Sequence, residues 1–207
     1  MAHVPSMDTR GFDDISFRSA LNTALMPSTE YDTSRWLFVP NSYTEYRYIL
    51  GTRGDNPLIC IGVNPSIAAP DHLDPTLQSV QRIAKHNGYD SFIMLNVYAQ
   101  RATSPKLMDP ACHDALHKEN LEALRYVLSL SGEPAIWAAW GNIIEERPYL
   151  TDCLEEMIAL ARTFHPRWYY CRSLSKKGHP HHPLYLKKDE QLLSFDIDGY
   201  LRGLVKP

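Results

Sequence analysis

The chain has 207 residues, 44% hydrophobic and 22% charged, with a formal net charge of -3. That length supports one large core without disulfide or metal staples and would leave two marginal cores if it were divided. The composition is that of a globular chain, which excludes disorder as the default outside the polar N-terminus, and the charge balance excludes any global attraction to nucleic acid or to an anionic membrane.

Residues 1–34 are polar and broken by Pro5, Gly11 and Pro27. They are expected to form a lead-in packed on a single α/β domain spanning 35–207, with a short helix around Phe17 to Leu25. Trp36 to Val39 has strand propensity and is stopped by Pro40, and the aromatic run Tyr43 to Leu50 alternates at period two; either suits an edge strand. Leu58 to Val63, Phe92 to Val97, Ala135 to Trp140 and Trp168 to Cys171 are short apolar runs, the pattern of strands covered on both faces.

Helical patterns separate these runs. Pro75 to Lys85 carries Leu77, Val80 and Ala84 at helical spacing behind an Asp74-Pro75-Thr76 cap. Asp114 to Ser129 and residues 151–164 each carry one apolar stripe. The alternation predicts a three-layer αβα sandwich around a central four-stranded parallel sheet, with the ligand edge formed by the loops that follow the strands.

Cys60, Cys112, Cys153 and Cys171 form no close pair in sequence and suit buried free thiols in a reducing compartment. The N-terminus has no apolar segment of signal-peptide type, and no run of about 18 apolar residues occurs. A cytoplasmic location without membrane attachment is expected.

Four post-strand segments carry polar residues. In the first, Asn64 ends a buried strand and is locked by Pro65; a fixed amide can orient water or pair with a planar ligand edge, or simply bond its own turn. Ser66 and Asp74 follow in the same loop. In the second, Asn96 interrupts an apolar strand, so burial obliges it to find partners. Tyr98, Arg101 and Thr103 follow, Arg101 being able to hold an anion or an internal acid such as Asp74. The third has Trp140, a ring face for stacking or a core indole, then Gly141 and Asn142. The fourth runs from Lys176 and Lys177 through His179, His181 and His182 to Tyr185, with interleaved prolines. A rigid loop holding imidazoles over a cleft is favoured over a zinc site, because no suitably spaced Cys or acid accompanies them. Arg167, Arg172, Lys176, Lys177, Lys187 and Lys188 make either a local basic patch or an ordinary solvated surface. No phosphate loop, dinucleotide fingerprint or serine elbow is present, which sets kinase and hydride-transfer chemistry aside.

From about Trp36 to Lys188 the sequence resembles a bacterial and phage family catalogued as domain-of-unknown-function family 1643. The resemblance rests on Tyr46-Arg47-Tyr48, Asn64-Pro65-Ser66, Asp74-Pro75-Thr76, Asn96-Val97-Tyr98-Ala99 with Arg101-Ala102-Thr103, Glu119-Asn120, Ala139-Trp140-Gly141-Asn142, Gly178-His179-Pro180 and His182-Pro183-Leu184-Tyr185. More distantly, the order of motifs is similar to the uracil-DNA glycosylase superfamily, whose fold is a four-stranded parallel sheet between helices. Its mismatch-specific members have a Gly-Ile-Asn-Pro segment that Gly62-Val63-Asn64-Pro65 matches, and there the asparagine positions the attacking water. The same resemblance implies base recognition by Asn96 and stabilisation of the leaving group by His182. Leu184 departs from the small serine usual in that loop. Asp71 to Thr76, Arg101 and Thr103 are polar features the glycosylases do not share.

The expected catalytic residues are therefore Asn64, Asp74 and His182, and the expected substrate contacts are Ser66, Asn96, Tyr98, Arg101, Thr103, Trp140, Asn142, Lys177, His179 and Tyr185, with no metal and no cofactor. Three functions stay open: hydrolysis of an N-glycosidic bond in a nucleic acid or nucleoside derivative, a non-catalytic nucleic-acid or nucleotide-binding module, and hydrolysis of another small substrate by Asp74, Arg101, Lys177 and His182. The expected partner is nucleic acid or a nucleotide-like small molecule, and the expected assembly a monomer or weak homodimer.

Overall fold

In the central strands, apolar residues fill both pleat faces, so each face must be covered by its own helical layer. A computed structural model of the chain describes residues 15–204, except for the side chain of Tyr185. Strands β1 (Trp36–Val39), β2 (Ile49–Thr52), β3 (Pro57–Gly62), β4 (Ser91–Asn96), β5 (Ala135–Ala138), β6 (Arg167–Cys171) and β7 (Leu192–Ser194) form one sheet in the order β1-β2-β4-β3-β5-β6-β7. The β4-β3-β5-β6 run is parallel, while β1, β2 and β7 add antiparallel edges.

The sheet is thus seven-stranded and mixed, wider than the four-stranded parallel sheet expected. The two strands at the β1 edge come from the aromatic segments before β3. The aromatic run pairs later than its alternation suggests, because β2 begins at Ile49 after the Tyr46 bridge to Gln100.

Five helices pack on this sheet among the described residues: α1 (Phe17–Ala24), α2 (Pro75–His86), α3 (Asp114–Leu128), α4 (Pro148–Arg162) and α5 (Ile197–Gly203). Ile59, Ile61, Ile93, Leu95, Ile136 and Ala138 join a core with α1, α3, α4 and α5. Leu58, Cys60, Phe92, Met94, Ala135 and Trp137 point the other way and pack with Leu77, Val80, Ile83 and Ala84 of α2. This period-two split is what a doubly covered strand requires.

Within the lead-in, Ser16 caps α1, and the backbone N–H of Phe17 donates to Glu119 of α3 at 2.7 Å. The first fourteen positions of that segment lie outside the described residues. α2 starts as its sequence implies: Asp74 caps it by accepting from the Leu77 N–H at 2.9 Å, with Pro75 at the first turn. Cys60, Cys153 and Cys171 are buried and Cys112 partly so; all four are free thiols. No helix among the described residues is long and apolar enough to cross a membrane.

The chain leaves β3 toward α2 on one face and leaves β5 toward α4 on the other. At such a divergence the loops separate and open a crevice beyond the carboxyl ends of the strands.

Candidate functional site

The crevice holds a cavity of about 620 Å³, within the range of small-molecule sites. It lies on the α2 side of the sheet. Gly62 and Asn96 are register partners on β3 and β4 and both line it. A side chain at position 62 would start 3.2 Å from Asn96 Oδ1 and 2.5 Å from the Met94 methyl, so glycine there leaves the Asn96 amide its space.

Asn96 is 1% exposed, and neither its Oδ1 nor its Nδ2 has a hydrogen-bond partner. Its backbone is held from the other layer, where Asn120 of α3 donates to the carbonyls of Asn96 at 2.9 Å and Val97 at 3.2 Å. An amide kept dry without partners is costly, and a rigid one facing a cavity is prepared for a ligand edge that both donates and accepts.

Asn64 lines the same cavity from the loop after β3. Its Nδ2 donates to the carbonyls of Ala102 at 2.8 Å and Pro65 at 3.1 Å. Two carbonyl partners fix the amide orientation and reserve Oδ1 as an acceptor. The Ala102 N–H returns a bond to the Pro65 carbonyl at 2.9 Å, so the loops after β3 and β4 lock each other.

His182 lines the cavity from the loop after β6, which packs on α2. Its Nδ1 accepts from the Leu184 N–H at 3.3 Å, which places the proton of the neutral ring on Nε2. Burial lowers its pKa, with Asp74 acting in the opposite sense, so the neutral donor form is favoured. Gly141 has φ +62°, and a Cβ there would meet the His182 Cβ at 3.3 Å; glycine permits both the turn and the close approach. Ser79 of α2 donates to the Pro183 carbonyl at 2.8 Å and ties this loop to the α2 layer.

Ser66, Asp74 and Thr103 also line the cavity, so it brings together Asn64, Ser66, Asp74, Asn96, Thr103 and His182. The other expected contacts lie elsewhere. Trp140 is fully buried, donating through Nε1 to the Tyr200 hydroxyl at 2.9 Å. It follows the parity of Ile136 and Ala138 into the α5 layer, away from the cavity. Tyr98 is fully buried against Tyr149, and its hydroxyl accepts from the His113 N–H at 2.8 Å. Arg101 lies buried behind the loop after β3, bonded to the Ser66 carbonyl and set over the Tyr43 ring at 4.3 Å. Asn142 accepts from the Ser175 hydroxyl at 2.7 Å outside the cavity, and Lys177 pairs with Glu145 on the surface. His179 is 2% exposed and held between the Tyr200 hydroxyl at 2.8 Å and Glu145 at 3.0 Å. Tyr185's side chain lies outside the described residues.

Arg47 lines the cavity although it was not among the expected contacts. It is 1% exposed and donates through Nη1 to the Ala68 carbonyl at 3.0 Å. A cation within an alternating aromatic run reads as the solvent face of an edge strand. Instead, the Tyr46 bridge to Gln100 and the bond from the Arg47 N–H to the Ala99 carbonyl draw it under the loop after β3.

The sequence matches the family described as a protein of unknown function, DUF1643, over residues 47–184. The chain belongs to the DUF1643 family. The matched span begins at Arg47 and ends at Leu184, both of which line the cavity. No curated protein and no solved structure matches this DUF1643 chain. Among its described residues no group of three or more His, Cys, Asp or Glu side chains is placed to hold a metal ion.

Proposed function

We propose that this DUF1643 protein hydrolyses an N-glycosidic bond, releasing a base from a nucleoside-type substrate. The observation that carries the reading is Asn96: a rigid amide, buried at the cavity and unpartnered on both polar atoms. The ligand edge that satisfies it pairs an N–H with a carbonyl or ring nitrogen, as the edge of a nucleobase does. Val63, Met94, Ala102, Ile143 and Leu184 supply apolar walls for the ring.

The remaining cavity residues supply chemistry. Asn64 Oδ1 accepts a hydrogen bond from a water and aims its lone pair at the anomeric carbon. The bond from that carbon to the base nitrogen breaks as the water oxygen bonds to the carbon, and the water proton passes to solvent or to the Asp74 carboxylate. Positive charge developing on the sugar is offset by Asp74. His182 donates from Nε2 to the departing base anion. The likeness of Gly62-Val63-Asn64-Pro65 to the mismatch-specific uracil-DNA glycosylases supports the role given to Asn64. A hydrolase built on Asp74, Arg101, Lys177 and His182 has less support, because Arg101 and Lys177 lie away from Asp74 and His182.

The test is release of free base from a panel of nucleosides, nucleotides and modified or mismatched single- and double-stranded DNA and RNA. Release by wild type that falls about 100-fold or more in Asn64→Ala and in His182→Ala, both still folded, is the expected result. Wild-type protein that binds nucleosides and releases no base would overturn the catalytic part.

A further inference from the structure

The proposed chemistry leaves Arg47 unused, although it is the buried cation of the cavity. Its guanidinium donates through Nη1 to the Ala68 carbonyl at 3.0 Å, and its Nε is buried without a partner. No carboxylate among the described residues lies within 4.0 Å of it. Asp74 and Arg101 act on it through space in opposite senses, Asp74 favouring the charge and Arg101 opposing it. Arg101 is itself buried, with Nε and Nη2 unpartnered, and Glu45 and Tyr43 act on it at a distance. Desolvation and the neighbouring guanidinium press the Arg47 pKa down to about 9, still well above neutrality. Two buried guanidiniums thus oppose one another's charge while each keeps at least one N–H without a partner, an arrangement that a further anion would relieve.

The cavity is where such an anion can enter. Thr76, at the first turn of α2, lines it beside Arg47. Pro75 has no N–H, the Leu77 N–H bonds the Asp74 side chain and the Gln78 N–H the Asp74 carbonyl, so the Thr76 N–H is the one in that turn without a helical partner, and the helix dipole adds positive potential there. Asp74 opposes this, but one of its oxygens is committed to the Leu77 N–H. A guanidinium whose Nε–H is free matches a phosphate group in geometry and charge.

We propose that Arg47 is the anion anchor of the cavity and binds the phosphate of a small nucleotide whose base lies against Asn96. The inference rests on the base-binding reading above and sharpens its substrate to a nucleoside monophosphate. The burial of Arg47 favours a terminal phosphate over a phosphodiester, since a continuing strand has to leave the cavity again past the residues that cover the guanidinium. The alternative role for Arg47 is structural, pinning the loop after β3 through Ala68.

Calorimetric titration of the full chain with the four common nucleosides, their 5′-monophosphates, a short oligonucleotide and inorganic phosphate tests this. At least one monophosphate is expected to bind about 10- to 100-fold more tightly than its parent nucleoside, with inorganic phosphate competing. Arg47→Met is expected to reduce that ratio to near one, whereas a purely structural Arg47 would lower the melting temperature and leave the ratio intact. If Arg47→Met does not fold, Arg47→Lys, which keeps the charge and loses the fork, is expected to reduce the ratio in part. Equal binding of nucleoside and monophosphate by wild type, a ratio that survives Arg47→Met, or tighter binding of the oligonucleotide would each overturn the proposal. Base release from nucleosides with no preference for monophosphates would remove the anchor alone. Monophosphate binding through Arg47 with no release would keep the anchor and remove the hydrolysis.

Discussion

His179 and His182 share one loop, and their surroundings differ in kind. His179 belongs to a closed chain of hydrogen bonds, from Trp140 through the Tyr200 hydroxyl and the imidazole to Glu145, which Lys177 also contacts. His182 spends one nitrogen on its own loop and lines the cavity, where Asn96 and Arg47 keep buried polar atoms without partners. The first region has its polar groups paired, and the second leaves Asn96 and Arg47 atoms unpaired. Buried polar groups in folded chains are nearly always paired, and unpartnered ones that also line a cavity are the basis on which we propose this region as the functional one. The closed network then has the supporting task of fixing the loop that carries His182.

That comparison breaks first at His179. Replacing it by leucine orphans the Tyr200 hydroxyl proton and removes one partner of Glu145, so a loss of about 2–3 kcal/mol is expected in denaturant unfolding. Turnover of the remaining folded protein should fall less than in His182→Ala. A His179→Leu protein as stable as wild type would show that the network contributes little.

A smaller effect concerns pH. Burial lowers the pKa of both His182 and His117 below the ordinary value of 6.5, with Asp74 and Glu156 respectively working against it. As pH falls, the unfolded chain therefore takes up these protons before the folded one does, and stability falls with it. Unfolding curves should be flat from about pH 8 to 7 in this respect and lose stability below about 6.5, until the lowered folded values are passed. Replacing His117 by glutamine should remove part of that slope; a slope unchanged by the substitution would contradict its assignment.

The legible part of the molecule was the part governed by periodicity. Leu58 to Val63 and its counterparts are apolar on both faces, and such runs separated by capped helices leave few arrangements other than a layered parallel sheet. β7 and α5 were not legible, because Leu192 to Ser194 is too short and too polar to show a period and gains its strand state by pairing with β6. At the site, Asn64 and Asn96 stood out as polar residues at the ends of buried runs. Trp140 misled because its layer depends on which helices cover each face: α2 serves the cavity side, while Trp140 faces α5. Arg47 was hidden because its burial comes from the loop after β3 folding over it, a contact between segments distant in sequence.

The most direct test of the account pairs two measurements on Asn96→Leu, the melting temperature and the release of free base. An unpartnered amide replaced by a side chain of similar size relieves a desolvation penalty. The expected result is a melting temperature at or above that of wild type together with loss of nearly all base release and nucleotide binding. A variant that melts well below wild type while keeping its nucleotide affinity would mean that Asn96 serves the fold, and would contradict the assignment of this cavity as the functional site.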